Sequence, residues 1–254
     1  MKKTCFFLLF LCLSILVFPQ ERERYFDAPF GGGGGFTPGW MFPNFDELNT
    51  QLEQFNVPKF PNSGLFTTGG SGFIYIGVVK NLRIGGMGFG GSKSVSAEYA
   101  PPYISLPPIP YLQEKREVDY SIGGGGLTVE YTLPFVRDFG ISVGGIIGGG
   151  SINIDIYKNA GDISWNGLWN QANSYGSPDY SRHLHDSYWF FTPTLNIDIP
   201  LYRFIVLRVG GGYQLTFADS WKIDNNRNLT DVPSDLNGNA FFIQTGIFLG
   251  FFSF

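Results

Sequence analysis

Cysteine is almost absent from this chain. Of 254 residues only Cys5 and Cys12 carry a thiol, and both lie in the first apolar segment. The rest of the chain therefore has neither a disulfide framework nor thiolate chemistry. Charge is also scarce, at 15% of residues, and Lys and Arg are outnumbered by Asp and Glu, 17 to 21. That balance excludes a basic nucleic-acid surface. Past residue 20 no uninterrupted apolar stretch approaches the roughly 18 residues of a membrane-spanning helix. The 35 glycines come in clusters and not at every third position, which excludes a collagen-like array. Aromatics, in contrast, are abundant: 26 Phe, 13 Tyr and 5 Trp give ample apolar surface for one sizeable domain and argue against disorder.

The N-terminus reads as an address. Met1 to Thr4 is a short basic head, Cys5 to Phe18 is an apolar run broken only by Ser14, and Glu21-Arg22-Glu23-Arg24 follows. The run is too short to span a bilayer as a helix, so residues 1–20 are expected to be a cleaved secretory signal.

Beyond it the pattern has period two. From Ile205 the odd positions are Ile205, Leu207, Val209, Gly211, Tyr213, Leu215 and Phe217, while the even ones are small or polar apart from Val206. Successive side chains of a strand point to opposite faces, so this is a long strand with one apolar face. Trp189 to Ile199 and Leu127 to Leu133 repeat the pattern. Three hairpins are predicted, 73–79 with 82–95, 117–133 with 139–157, and 187–199 with 204–221, each across a short turn. Two turns are near repeats: Leu133-Pro134-Phe135-Val136-Arg137 matches Ile199-Pro200-Leu201-Tyr202-Arg203. The other connections, 96–116, 158–186 and 222–238, are long and carry Pro and Asn.

The apolar face changes parity at Gly85-Gly86, Gly123 to Gly126 and Gly148 to Gly150, which predicts bends or bulges at those glycines. Gly86 to Ser94 comes near a phosphate-binding loop, but Ser92 separates the last glycine from Lys93 and no helix follows, so the nucleotide reading fails. A final strand, Asn239 to Phe254, ends in a Phe-rich tail that a soluble protein would leave as an aggregating edge.

These features together resemble the small outer-membrane β-barrel proteins of Gram-negative bacteria, whose last strand typically ends in Phe. The resemblance covers most of the chain at the level of the class and carries over no activity. It implies an all-β, antiparallel transmembrane barrel of about eight strands, or ten in an alternative count, placed in the outer membrane with its lipid and the barrel-insertion machinery as partners. Phe252 and Phe254 would be the insertion signal. The barrel proper is expected over 71–254. Residues 21–70 would hold one short helix, capped at Asn44 and presenting Phe45, Leu48, Leu52 and Phe55 on one face, and a first strand at 28–36. That helix would cover the mouth of an eight-stranded barrel or plug a ten-stranded one.

In the membrane reading the apolar faces point outward. Trp189 and Trp221 at the long-loop end, with Tyr131 and Tyr202 near the short turns, would then form interface rings. Arg83, Glu130, Asp198 and Arg208 would point inward as a lumen charge cluster. The loop predicted at 158–186 holds both histidines, His183 and His185, near Ser181, Ser187 and Asp179, together with several aromatics. Without G-x-S-x-G or H-E-x-x-H these residues assign neither catalysis nor a metal, and no cofactor is expected. The function expected is that of a structural or surface-interaction barrel and not an enzyme, with its lumen filled by side chains and an extracellular ligand at loops 96–116, 158–186 and 222–238. The alternatives are a narrow porin-like channel and, third, a lipid-modifying barrel.

Overall fold

The computed structural model describes residues 31–99, 114–134, 138–159, 162–172, 179–217 and 220–252. The signal segment, Phe135 and Phe254 lie outside them. In chain order the elements are β1 Gly31–Phe36, β2 Gly39–Pro43, α1 Asp46–Phe55, β3 Leu65–Tyr75, β4 Leu82–Tyr99, β5 Glu114–Thr132 and β6 Gly140–Asn159. They continue with α2 Trp165–Ala172, β7 Tyr180–Tyr202, β8 Ile205–Phe217, β9 Lys222–Ile223, β10 Arg227–Asn228 and β11 Ala240–Phe252.

The sheet closes on itself. β1 and β2 act as one strand interrupted at Thr37-Pro38, and both pieces pair with β3 on one side and β11 on the other. The ladder then runs β3–β4–β5–β6–β7–β8 and returns to β11, antiparallel at every step. This is an eight-stranded antiparallel barrel, so the count of eight holds and the first strand is supplied by the segment upstream of residue 44. Closure pairs every ring strand on both sides within the ring, while β4 beyond Gly90 pairs with β5 alone. The short connections from β3 to β4, β5 to β6 and β7 to β8 mark one end. Asn81 and Asp138 take positive φ there, a conformation that short polar side chains tolerate.

Several boundaries differ from expectation. The strand predicted at 73–79 runs over Leu65–Tyr75, because Thr68 to Gly72 pairs fully with β4 despite lacking any apolar alternation. β4 to β7 are longer than their apolar stretches, so the ends of the predicted loops, 96–99 and 114–116 of the first and 158–159 and 180–186 of the second, are strand. A second helix, α2, stands in the connection from β6 to β7.

The glycine runs do not bend the ladder out of register. β4, β5 and β6 pair residue for residue through Gly85-Gly86, Gly123 to Gly126 and Gly148 to Gly150, and the shift recorded between β7 and β8 lies at Pro200/Tyr202. What changes at the glycines is the chemistry of each face. On β5 the even residues face inward throughout. Thr128, Glu130 and Thr132 fill the inside near the short turns while Leu127, Val129 and Tyr131 are exposed outside. Above the glycines Ile122, Tyr120 and Val118 are buried inside, while Ser121, Asp119 and Glu117 face out. β6 does the same: Ser142 inside and Val143 and Ile147 outside give way to Ile152 and Ile154 inside and Asn153 and Asp155 outside. The lower barrel is apolar outside and the upper wall is apolar inside.

The upper interior is filled by α1. Phe45, Leu48, Leu52, Val57 and Phe60 pack against Val118, Tyr120, Ile122, Ile152 and Ile154 in one buried cluster. Phe45 stacks on Phe60 and meets Tyr120 edge-on, each with ring centroids 5.0 Å apart. Asn44 is not the cap: Phe45 takes that position without a side-chain bond, and Asn44, one residue earlier, accepts the Asp46 N–H at 2.9 Å in a local turn. The buried Asn49 amide ties the returning chain to the helix, accepting the Phe60 N–H at 2.7 Å and donating to the Phe60 carbonyl at 3.2 Å. Asn56 in the left-handed region ends α1, and Arg116 Nη1 donates to the Phe55 carbonyl at 2.7 Å, placing a cation at the helix C-terminus. Of the two placements considered for α1, it takes the mouth.

Space for inward side chains such as Glu130 and Asn196 comes from the glycine paired with each on the neighbouring strand. A Cβ on Gly144 would sit 2.8 Å from Glu130 Cγ, and one on Gly210 would collide with the Asn196 amide. A methyl on outward Gly149 would find its nearest neighbour, the Tyr188 carbonyl, at 3.7 Å. Gly210→Ala and Gly144→Ala should therefore each lower stability by about 1–3 kcal/mol through overpacking, whereas Gly149→Ala should be nearly neutral. Urea refolding midpoints in detergent micelles check this, and equal midpoints for all three variants would contradict it.

Candidate functional site

The four charges expected in the lumen meet there. Arg83 is the cross-strand partner of Glu130, and Asp198 that of Arg208, so ladder register alone places two ion pairs on the inner face. Arg83 Nε lies 2.5 Å from Glu130 Oε2 and its Nη1 lies 2.6 Å from Asp198 Oδ2, joining the pairs. Arg208 grips Asp198 with Nε at 2.6 Å and Nη2 at 3.0 Å, and its Nη1 is 3.5 Å from Glu130 Oε1. Ser142 accepts from Arg83 Nη2, Asn196 donates to Glu130 Oε1 at 3.0 Å, and Gln244 donates to Asn196 Oδ1 at 3.2 Å. All four charged groups are buried, with Arg83 only 1% exposed.

Two cations against two carboxylates make the layer neutral, and such a layer is tolerated away from water only when its members are paired and hydrogen-bonded. It rests on an aromatic floor. The Arg83 guanidinium carbon lies 4.4 Å from the Phe73 ring centroid, and that of Arg208 lies 4.6 Å from the Phe248 centroid. Phe252 joins Phe73, Tyr75, Val206 and Phe248 in this floor. Its side chain thus faces the lumen at the short-turn end.

Between floor and plug lies a layer of Thr, Gln and aliphatic side chains. The cavity left there, lined among others by Thr37, Thr67, Thr192, Gln214 and Gln244, measures about 30 Å³, room for about one water molecule.

The outer surface separates the expected interface aromatics. Trp189 is 67% exposed and Tyr202 and Tyr131 also face outward. Trp221 is 7% exposed and packs inward with the plug, among Leu229, Val232 and Leu236, so it belongs to no interface ring. The expectation failed because Trp221 lies beyond β8, in a connection that folds back over the mouth. The exposed apolar belt runs from Phe241 to Phe251 on β11, from Trp189 to Ile199 on β7 and from Val209 to Phe217 on β8. Eleven residues of tilted strand cover roughly 25 Å, the height of a bilayer's hydrocarbon band on such barrels. A closed sheet with this belt outside and ionised groups inside is an outer-membrane β-barrel.

The histidines stand on β7 and not in a loop. His183 Nδ1 is 2.5 Å from Asp155 Oδ1, His185 Nδ1 is 2.6 Å from Asn153 Oδ1, and His185 Nε2 is 2.9 Å from Ser187 Oγ. Asp224 secures β9 to β7: it accepts the His183 backbone N–H at 3.2 Å and lies near Arg182 and Arg227, and these partners hold its carboxyl below the usual carboxylate range. Sequence reasoning found His185 and Ser187 but missed Asn153, which lies on another strand and becomes their neighbour only through the β6–β7 register.

No family model matches the sequence, and no curated protein matches it. Among solved structures the chain is similar to Ail, the attachment invasion locus protein of Yersinia pestis. The likeness to its complex with the heparin analogue sucrose octasulfate has a TM-score of 0.35 at 9% identity, covering 87% of this chain and 99% of that one. It is also similar to the outer membrane protein OprG from Pseudomonas aeruginosa, with a TM-score of 0.40 at 12% identity, covering 91% of this chain and 98% of that one.

Removing one member of a buried charge network leaves its partner uncompensated. Arg208→Leu, which strands part of Asp198, should cost about 3–5 kcal/mol, and the charge-neutral pair Arg208→Leu with Asp198→Leu should recover part of it. Unfolding in micelles followed by tryptophan fluorescence measures both. A single variant as stable as the parent would show that the layer does not hold the barrel.

Proposed function

We propose that the chain is a closed outer-membrane barrel whose membrane part is an anchor and whose role is carried by the wall and loops beyond the bilayer. The observation that carries this reading is the double seal of the lumen: the neutral charge layer over the aromatic floor at one end, and α1 with its flanking chain at the other. A diffusion channel needs a continuous polar path, and the middle of the lumen offers a 30 Å³ cavity instead.

Above the belt, β4 to β7 continue as a wall with polar residues outside. It lifts α2 away from the bilayer, where Trp165, Leu168 and Trp169 are exposed and the two indoles meet edge-on at 5.8 Å. Exposed aromatics on a rigid support suit contact with a sugar or a protein surface, so surface interaction is the role we assign to this end, with the ligand at the connections from β4 to β5, β6 to β7 and β8 to β11. Assembly would use the barrel-insertion machinery.

Planar-bilayer recording of the refolded protein tests the seal. The expected result is silence over hours at moderate voltage. Steady single-channel steps from protein that migrates as a folded barrel would overturn the reading in favour of a pore.

A further inference from the structure

From the contacts among Ser187, His185 and Asn153 we infer that the outer face of β7 is an acyl-ester hydrolase site directed at membrane lipid. The inference adds a catalytic face to the anchor just proposed. It rests on the barrel's position in the membrane, not on whether its lumen is closed.

Nucleophilic acyl transfer at a serine needs a base within hydrogen-bond reach of the hydroxyl and a third group fixing the base's orientation and tautomer. Strand geometry supplies all three here. Ser187 and His185 are two positions apart, hence on one face, and the imidazole reaches along the strand to bring Nε2 within 2.9 Å of Oγ. Asn153 is the directly paired residue on β6, and its Oδ1 lies 2.6 Å from His185 Nδ1. An amide oxygen accepts there, so Nδ1 carries the proton and Nε2 is left with its lone pair toward the serine. Lys222 of β9, paired with His185 from the other side, contributes a cation to the same face. Ser187 itself is exposed.

The height of the site sets the substrate class. Ser187 is the first polar outward residue of β7 above the belt, one outward step beyond the exposed Trp189, and Phe191, Pro193, Leu195 and Ile197 continue below. Tryptophan at the top of a lipid-facing band marks the boundary between hydrocarbon and headgroups, where the ester linkages of acyl chains lie. A lipid diffusing against this wall would present its ester to Ser187 with its chains along the belt and its anionic headgroup toward Lys222.

The chemistry balances with water as the sole co-reactant. Ser187 Oγ attacks the ester carbonyl carbon while its proton passes to His185 Nε2. The tetrahedral adduct collapses with cleavage of the acyl C–O bond, and the departing alkoxide takes that proton. Water then attacks the acyl-serine, giving its proton to His185, and the released Ser187 oxygen recovers it. One ester and one water yield one fatty acid and one alcohol. Ser187 is the nucleophile, His185 the general base and acid, and Asn153 a positioning residue.

The test uses the refolded full chain, its fold checked by heat-modifiable gel mobility. It is presented with phosphatidylethanolamine vesicles in one arm and purified lipopolysaccharide in the other. Fatty-acid release by mass spectrometry and labelling by a fluorophosphonate probe are the readouts. We expect release in at least one arm, and the arm identifies the lipid. Folded Ser187→Ala should lose label and roughly a thousandfold in rate. Asn153→Leu should lose activity while Asn153→Asp keeps it with a shifted pH profile, a rescue that a merely structural residue would not give. Folded wild type that releases no fatty acid from either lipid and takes no probe would overturn the inference, as would release that persists in Ser187→Ala.

Discussion

A β-strand cannot exchange its inward and outward positions without a bulge, so a strand that passes from lipid into water must change the chemistry of both faces at one height. That constraint organises this molecule. β5 and β6 keep residue-for-residue register from end to end, yet Leu127 and Ile147 meet lipid on the same face from which Ser121 and Asn153 meet water. The glycines at 123–126 and 148–150 occupy the crossover, where neither a large apolar nor a charged side chain would suit both sides. Above it the inner face turns apolar and must be covered, and α1 with Phe45, Leu52 and Phe60 covers it.

Below the crossover the difficulty is reversed: polar side chains are shut inside a narrow barrel far from water. The solution is stoichiometric and geometric together. Two guanidinium groups meet two carboxylates, the remaining donors and acceptors go to Ser142, Asn196 and Gln244, and the arginine faces lie on Phe73 and Phe248. Glycines on the paired strands, Gly144 opposite Glu130 and Gly210 opposite Asn196, supply the volume. These two glycines therefore serve the packing of inward side chains on the strands paired with them.

Much of this was legible in the sequence. Alternation, short turns and the Phe-rich tail located seven barrel strands at least in part, the charge cluster followed from parity at Arg83, Glu130, Asp198 and Arg208, and the α1 face followed from its helical spacing. What escaped did so for definite reasons. A segment such as Thr68 to Gly72 has no apolar face to announce it, and its place comes from pairing with β4. The upper wall read as loop because its apolar residues lie on the other face, so the pattern looked like a slip. Trp221 looked like an interface residue because the fold-back of its connection is a tertiary event. Asn153 could not be joined to His185 before the β6–β7 register was known.

The exchange of faces is what the anchor, the plug and the site beside Ser187 all depend on, and it can be read directly by depth. In a chain from which Cys5 and Cys12 have been removed, single cysteines at Leu127, Val129, Ser121 and Asp119, each carrying a fluorophore, report their surroundings in vesicles through quenching. The account predicts that a lipid-borne quencher darkens the labels at 127 and 129 while iodide in the aqueous phase darkens those at 121 and 119. Lipid quenching at 119 and 121, or iodide access at 127 and 129, would contradict it.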